Sequence, residues 1–162
     1  MFNFFKKAEK KKIMIGSPVA GEAVPVSEVN DPTFAEGILG KGVAIKPSDG
    51  NIYAPADGTI GLLFETLHAV SIQTDDGAEI LVHIGLDTVT LKGEGFEAHA
   101  TTGDKVKKGD LLITVDLDKV KAAGLDVITP MLICNTDDYE AVEAITGKTV
   151  VAGDDVIAIT EK

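Results

Sequence analysis

The chain of 162 residues contains no arginine and no tryptophan, and it has one cysteine, Cys134. A single cysteine cannot form an internal disulfide, so we expect a reducing, cytoplasmic setting. Its apolar runs are only a few residues long, far short of the roughly 20 residues that a membrane-spanning helix needs. Lysines interrupt the N-terminal phenylalanines and no small-residue cleavage site follows, so no signal peptide is predicted.

Positive charge is scarce and unevenly placed. The net charge is −11, yet residues 1–12 hold five lysines and one acid, so the rest of the chain is strongly acidic. Nucleic-acid binding needs cationic side chains to neutralise phosphates, and the composition therefore argues against it. Because residues 13–162 are acidic, we expect binding partners with basic surfaces.

We expect residues 1–12, M-F-N-F-F-K-K-A-E-K-K-K, to be a flexible basic and aromatic arm ahead of a single domain over 13–162. Phenylalanines beside a lysine cluster are typical of a segment that lies at a membrane surface. The same composition suits a disordered, solubilising tail. Both interpretations stay open.

From residue 13 on, short runs rich in Val and Ile alternate with Gly, Pro and Asp at intervals of about 8–12 residues. This rhythm predicts an all-β fold, an antiparallel sandwich or barrel. Helices are predicted only at 33–39, 116–123 and 137–145. The predicted strands are I-M-I-G-S, G-E-A-V-P-V, G-V-A-I-K-P, N-I-Y-A-P, G-T-I-G-L-L-F-E, H-A-V-S-I-Q, E-I-L-V-H-I, D-L-L-I-T-V, T-P-M-L-I-C and V-I-A-I-T.

Two of the three histidines, His68 and His83, lie on neighbouring predicted strands that T-D-D-G-A joins as a hairpin. The register of the hairpin decides whether their rings meet. A loop of two or four residues puts both rings on one face, whereas a three-residue loop puts them on opposite faces. The apolar pattern slightly favours the odd-numbered loop, so the sequence permits a histidine pair without requiring one.

Such a pair could carry a phosphoryl group, because imidazole is nucleophilic near neutral pH. The second ring could hold the phosphate through an N–H group, and Thr66 could orient His68 through its hydroxyl. A backbone carbonyl could hold the proton on the other nitrogen of the nucleophilic ring. Asp31 and Asp87 could contact basic side chains of a partner, or they could cap turns. The competing interpretation is a pair of structural histidines.

Four motifs resemble those of a known family. They are F-A-E-x-I-L-G-x-G-V-A-I-K-P from Phe34, A-P-A-D-G-T-I-G from Ala54, F-E-T-x-H-A-x-S-I from Phe64 and L-V-H-I-G-L-D-T-V-x-L-K-G-E-G-F from Leu81. From about residue 13 to its last residue, the chain resembles the enzyme IIA component of the glucose family in the bacterial phosphoenolpyruvate-dependent sugar phosphotransferase system, in its free-standing form.

The resemblance implies that His83 is phosphorylated on Nε2, receives the group from the phosphohistidine of HPr and passes it to the IIB domain of a sugar transporter. It implies that His68 stabilises the phosphate with Thr66 behind it, and that the Gly85 carbonyl fixes the tautomer of His83. The residues implied to bind partners are two acids, Asp31 and Asp87, and an apolar disc of Phe34, Ile38, Leu39, Phe64 and Leu81. Some relatives have Phe in place of Leu81.

The same resemblance implies an antiparallel β-sandwich with jelly-roll or Greek-key features and a few short helical turns, with no cofactor and no metal. It implies a cytoplasmic protein. In some relatives the free-standing protein also regulates other transporters and enzymes, and an amphipathic N-terminal segment touches the membrane. Regulatory partners, and peripheral contact of residues 1–12 with the inner face of the membrane, are therefore further expectations.

Two other functions compete with this interpretation. A lipoyl-type or biotinyl-type carrier would be modified on Lys119, within V-K-K-G-D-L-L-I-T-V-D-L-D-K-V. Such domains are about half this length, and the residues after Lys119 predict a helix instead of a return strand. A zinc hydrolase using His68, His83 and Asp87 would need a further firm ligand and a general base, and the H-x-H element of such enzymes is absent.

Overall fold

A computed structural model describes residues 10–162, and most of the predicted arm, residues 1–9, lies outside the described residues. Strands β1 to β14 are Lys12–Gly16, Gly21–Pro25, Lys41–Pro47, Asn51–Tyr53, Gly58–Leu63, Ala69–Thr74, Glu79–His83, Phe96–Ala98, Lys105–Val106, Leu111–Val115, Thr129–Ile133, Tyr139–Ala144, Lys148–Val150 and Asp155–Glu161. Helices α1 and α2 are Pro32–Ala35 and Leu117–Ala122, and 3-10 turns are Val26–Glu28, Thr88–Leu91 and Thr136–Asp138. No helix within residues 10–162 is both long and apolar enough to cross a bilayer.

The strands form one large sheet and two small ones, and neighbouring strands pair antiparallel. The large sheet has the order β13-β2-β3-β11-β7-β6-β5-β9, and the small sheets have the orders β1-β14-β12 and β4-β10-β8. Because β11 lies between β3 and β7, connections cross the ends of the sandwich as in Greek-key folds. The prediction of an all-β antiparallel sandwich is confirmed.

The large sheet buries apolar side chains on both of its faces, but to different degrees. On the inner face Val70, Ile72, Ile80 and Val82 join the main core of branched aliphatic side chains, as alternation along each strand predicts. On the outer face a smaller cluster lies below the histidines. Its members are Val24, Val29, Phe34, Ala44, Leu86, Ile128 and Leu132.

The predicted helix at 137–145 is wrong, because Tyr139–Ala144 is strand β12. The strand pairs with β14, where Val142 opposite Ile159 is its one buried residue. Both residues of the D-D pair that suggested a helix start, Asp137 and Asp138, lie within the preceding 3-10 turn. Pairing with β14 supplies backbone hydrogen bonds and a packing surface that outweigh the helix propensity of Glu and Ala.

The other two helices are close to their predicted positions. Helix α2 lies within the predicted 116–123, and the Asp116 carboxylate accepts from the Lys119 backbone N–H at its start. Helix α1 is shorter than the predicted 33–39, since the chain turns away at Gly37, whose φ is +75°. Three further strands, β8, β9 and β13, are not among the predicted strands because each has only two or three residues.

The hairpin of β6 and β7 has the odd register. Ala69 pairs with His83 and Val70 with Val82, and the Thr74 N–H donates to the Ala78 carbonyl to close a loop of residues 75–77. This is the arrangement that the apolar pattern slightly favoured. By strand alternation alone it would put the two histidines on opposite faces.

Candidate functional site

His83 ends strand β7 on the outer face of the large sheet. Its Nδ1 donates to the Gly85 carbonyl at 2.7 Å. A carbonyl can only accept, so this contact keeps the proton on Nδ1 and leaves the lone pair on Nε2. Gly85 has a φ of +72°, and a Cβ there would lie 2.7 Å from the Asp126 carbonyl oxygen. Only glycine fits this turn without strain.

His68 precedes β6 and does not follow the alternation of the strand. Leu67 has a φ of +58°, and its N–H donates to the Phe64 carbonyl while the Phe64 N–H donates to the Ala69 carbonyl. The His68 ring therefore reaches the outer face, where its centroid lies 5.1 Å from that of His83, with the planes at 78°. The prediction that an odd register separates the rings is wrong, because alternation stops where the backbone turns left-handed.

The two rings have different hydrogen-bond partners at Nδ1. The Thr66 hydroxyl makes a short contact to Nδ1 of His68, in contrast to the backbone carbonyl at His83. A hydroxyl can donate or accept, so this partner does not by itself fix the tautomer of His68. The His68 carbonyl accepts from the Ile84 N–H at 2.7 Å, which ties the two histidine segments together.

Two phenylalanines pack against the pair. The Phe34 ring lies 4.9 Å from His83 and the Phe64 ring 5.3 Å from His68, measured between centroids. Phe34 is only 5% exposed, so it lies beneath His83 and offers little surface of its own. Phe34 is therefore next to His83, as predicted for the apolar disc, but its contribution to partner binding stays a prediction.

Burial lowers the pKa of both histidines. For His68 burial is the main cause, and positive charge on His83 lowers the pKa further. For His83 burial again dominates, while the Gly85 carbonyl and the negative charges of Asp31 and Asp87 oppose the shift. Both rings are consequently neutral at pH 7, as a nucleophilic nitrogen requires.

Asp31 and Asp87 come from separate parts of the chain and both attract positive charge at His83. Asp31 caps helix α1, where its carboxylate accepts from the Thr33 N–H at 3.0 Å. Asp87 is exposed in a left-handed conformation with a φ of +59°. The turn-capping interpretation and the proximity to His83 therefore both hold for Asp31.

The other four residues of the predicted apolar disc differ in exposure. Ile38 is 69% exposed and Leu39 is also exposed, whereas Phe64 and Leu81 are partly buried. Ile38 and Leu39 line a pocket of about 290 Å³ at the end of β11.

The sequence predictions did not include Leu62 and Val89, which are 47% and 48% exposed. Leu62 opposes Ser71, which opposes Leu81, so Leu62 shares the outer face with His83. The register was needed to find it. Val89 lies two residues after Asp87 in a motif already quoted, but only the structure shows that it is exposed.

Neither of the two competing functions has a suitable site within residues 10–162. Lys119 lies within helix α2, not at a hairpin tip, and its Nζ pairs with Glu94 Oε1 at 3.2 Å. Within residues 10–162, no group of three or more His, Cys, Asp or Glu side chains is arranged to hold a metal ion.

Comparison with known proteins decides the family. The family profile for the phosphoenolpyruvate-dependent sugar phosphotransferase system, EIIA 1, matches residues 13–139. The glucose-specific EIIA component of Oceanobacillus iheyensis is 45% identical over 152 residues, which cover 94% of this chain and 92% of that protein. The chain belongs to this EIIA family.

Other EIIA relatives agree. The glucose permease IIA from Mycoplasma capricolum superposes with a TM-score of 0.86 at 38% identity, covering 91% of this chain and 96% of that one. The β-glucoside-specific EIIBCA component of Bacillus subtilis is 50% identical over 131 residues, 81% of this chain but 22% of that protein. As an EIIA protein of the sugar phosphotransferase system, the chain is a phosphotransferase component. The carrier and zinc-hydrolase alternatives are not favoured.

Proposed function

We propose that His83 carries the phosphoryl group on Nε2, taking it from the phosphohistidine of HPr and giving it to the IIB domain of a sugar transporter. The observation that carries this proposal is the 2.7 Å contact from His83 Nδ1 to the Gly85 carbonyl, which leaves an Nε2 lone pair beside a second imidazole. In transfer, Nε2 forms a bond to phosphorus as the bond from phosphorus to the HPr imidazole breaks. The leaving imidazole keeps that electron pair.

His68 stabilises the phosphate in this scheme. When the Thr66 hydroxyl donates to Nδ1 of His68, the proton of that ring lies on Nε2, where it can be donated to a phosphate oxygen. The 5.1 Å separation of the ring centroids leaves His68 next to the group that His83 would carry.

The positive charge for transfer must come largely from the partner. Phosphoryl transfer needs cations around the migrating oxygens, but the chain has no arginine and no lysine between Lys46 and Lys92. Asp31 and Asp87 would bind basic side chains of HPr or IIB, holding them beside the phosphate. Exposed Ile38 and Leu39 would supply the apolar part of the docking surface, together with Phe64, Leu81, Leu62 and Val89.

Under this proposal residues 13–162 act as one cytoplasmic phosphocarrier domain. A reduced, exposed Cys134 suits that compartment. Regulatory proteins would bind the same apolar surface and would read the added negative charge at His83. The arm of residues 1–12 would touch the inner face of the membrane through phenylalanine and lysine.

The test is transfer of labelled phosphate from phospho-HPr to the protein and on to a purified IIB domain. We expect the wild type and His99→Gln, which changes the third histidine, to be labelled equally. We expect His83→Gln to remain unlabelled. Intact mass should show a phosphate adduct that requires HPr and phosphoenolpyruvate. Label that survives in His83→Gln, or a lipoyl adduct on Lys119, would overturn the proposal.

A further inference from the structure

The carbonyl that orients His83 belongs to a sharp turn over residues 84–88. Gly85 and Asp87 are both left-handed in this turn, with φ values of +72° and +59°. The Gly85 carbonyl belongs to the Gly85–Leu86 peptide. The N–H group of that peptide is fixed, because the Leu86 N–H donates to the Asp126 carbonyl at 3.0 Å. The peptide before Gly85 needs its own restraint, since glycine offers no side chain to resist rotation.

Thr88 supplies that restraint from within the core. Its side chain is fully buried, and its Oγ1 donates to the Ile84 carbonyl at 2.5 Å. Its methyl carbon lies 2.7 Å from the position that a Cβ on Gly85 would occupy. The hydroxyl therefore holds the carbonyl of the Ile84–Gly85 peptide, while the methyl group leaves no room for a side chain at Gly85.

Ile84 also connects Thr88 to the second histidine. The Ile84 N–H donates to the His68 carbonyl at 2.7 Å, while the Ile84 carbonyl accepts from Thr88. One buried hydroxyl thus anchors the residue that joins the His68 segment to the turn that orients His83.

We propose that Thr88 is a positioning residue that keeps the Gly85 carbonyl aimed at His83 Nδ1 and so keeps Nε2 unprotonated. The role in transfer rests on the proposed function of His83, but the effect on the tautomer does not. Thr88 touches neither imidazole in this scheme, and it acts through the Ile84–Gly85 peptide.

Thr88→Val is the informative substitution, because it keeps the shape and the methyl group but removes the hydroxyl. Thr88→Ser keeps the hydroxyl and is the conservative rescue. The matched control is Thr90→Val, since the exposed Thr90 hydroxyl donates to the Asp87 carbonyl at 2.7 Å. The control makes the same chemical change two residues later in the chain, away from the Ile84–Gly85 peptide.

The readout is the ¹⁵N chemical shifts of the His83 ring in the unphosphorylated full chain, which report the tautomer directly. We expect the wild type, Thr88→Ser and Thr90→Val to carry the proton on Nδ1. We expect Thr88→Val to shift population toward the Nε2–H tautomer and to accept phosphate from phospho-HPr about tenfold more slowly, as for loss of one hydrogen bond. A folded Thr88→Val protein with the wild-type tautomer and transfer rate would overturn the inference.

The wild-type spectrum tests the inference even if Thr88→Val fails to fold, because a His83 proton on Nε2 in the wild type would also overturn it. Failure of the proposed function looks different. In that case phospho-HPr would not label the wild type, while the tautomer series would still respond to Thr88.

Discussion

His83 and His68 reach the same point on the outer face by different routes. His83 follows the regular alternation of β7, and a backbone carbonyl 2.7 Å away holds its Nδ1. His68 lies outside β6 after the left-handed Leu67, and a side-chain hydroxyl contacts its Nδ1.

The difference separates a fixed ring from an adaptable one. A carbonyl can only accept, so His83 has one tautomer and a permanently available Nε2. A hydroxyl can turn, so His68 can change its hydrogen-bonding role as the neighbouring group gains or loses charge. Under the proposed function, one nitrogen would have to present a lone pair while its neighbour adapts, and this pair would provide both.

Replacing the fixed ring should have the largest effect. His83→Gln removes the Nε2 lone pair, so we expect phosphoryl acceptance from phospho-HPr to fall by about 10³-fold or more. The rate of acceptance is measured from the transfer of labelled phosphate in samples quenched at successive times. Equal folding of the variant, checked by circular dichroism, is the control, and stable label on the variant would contradict the assignment.

Replacing the adaptable ring should have a smaller and different effect. We expect His68→Gln to accept label but to pass it to IIB about 10²-fold more slowly, because one donor to the transferring group is lost. The two steps are measured separately in one time course. Unchanged delivery to IIB would show that His68 is only a structural neighbour.

Changing the turn before His68 tests how that ring reaches the site. Leu67→Val puts a β-branched residue at a φ of +58°, and we expect it to lower the free energy of unfolding by about 1–2 kcal/mol. As the rings separate, the lowered pKa of His68 should rise toward its ordinary value.

Leu67→Asn is the matched control, since asparagine tolerates this conformation. Denaturant midpoints and an NMR titration of His68 measure the two effects. If Leu67→Val and Leu67→Asn have the same denaturant midpoint and the same His68 pKa, the left-handed turn does not set the position of the His68 ring.

The pH dependence of stability should show the smallest effect. Both folded-state pKa values are lowered, so below the unfolded value of about 6.5 the unfolded chain binds more protons. The histidine contribution is therefore complete above pH 6.5 and is lost as the pH falls through about 6.5 toward the lowered values. Urea unfolding between pH 7.5 and 5 should show this slope, and the His68→Gln, His83→Gln double variant should show a flatter one. Stability that rises on acidification would contradict the sign.

Sequence patterns predicted the long strands well, because alternating Val and Ile mark a half-buried surface regardless of partner. They failed for Tyr139–Ala144, where only Val142 is buried and pairing with β14 replaces a local helix. For Phe34 they did not show the depth of the ring, since an apolar residue beside a site can be buried under it or exposed on it. For Leu62, only the register revealed the shared face with His83.

By itself, the sequence determined the all-β class and the two histidine motifs, because strand periodicity and residue chemistry are local properties. The tertiary structure decided that the rings meet. That meeting depends on the odd register of β6 and β7, on the left-handed Leu67 that releases His68 from alternation, and on the Asp126 carbonyl that holds the turn after His83. The register and the Asp126 contact join segments that are distant in sequence, and leucine rarely adopts a left-handed conformation. Local sequence patterns therefore could not predict these features.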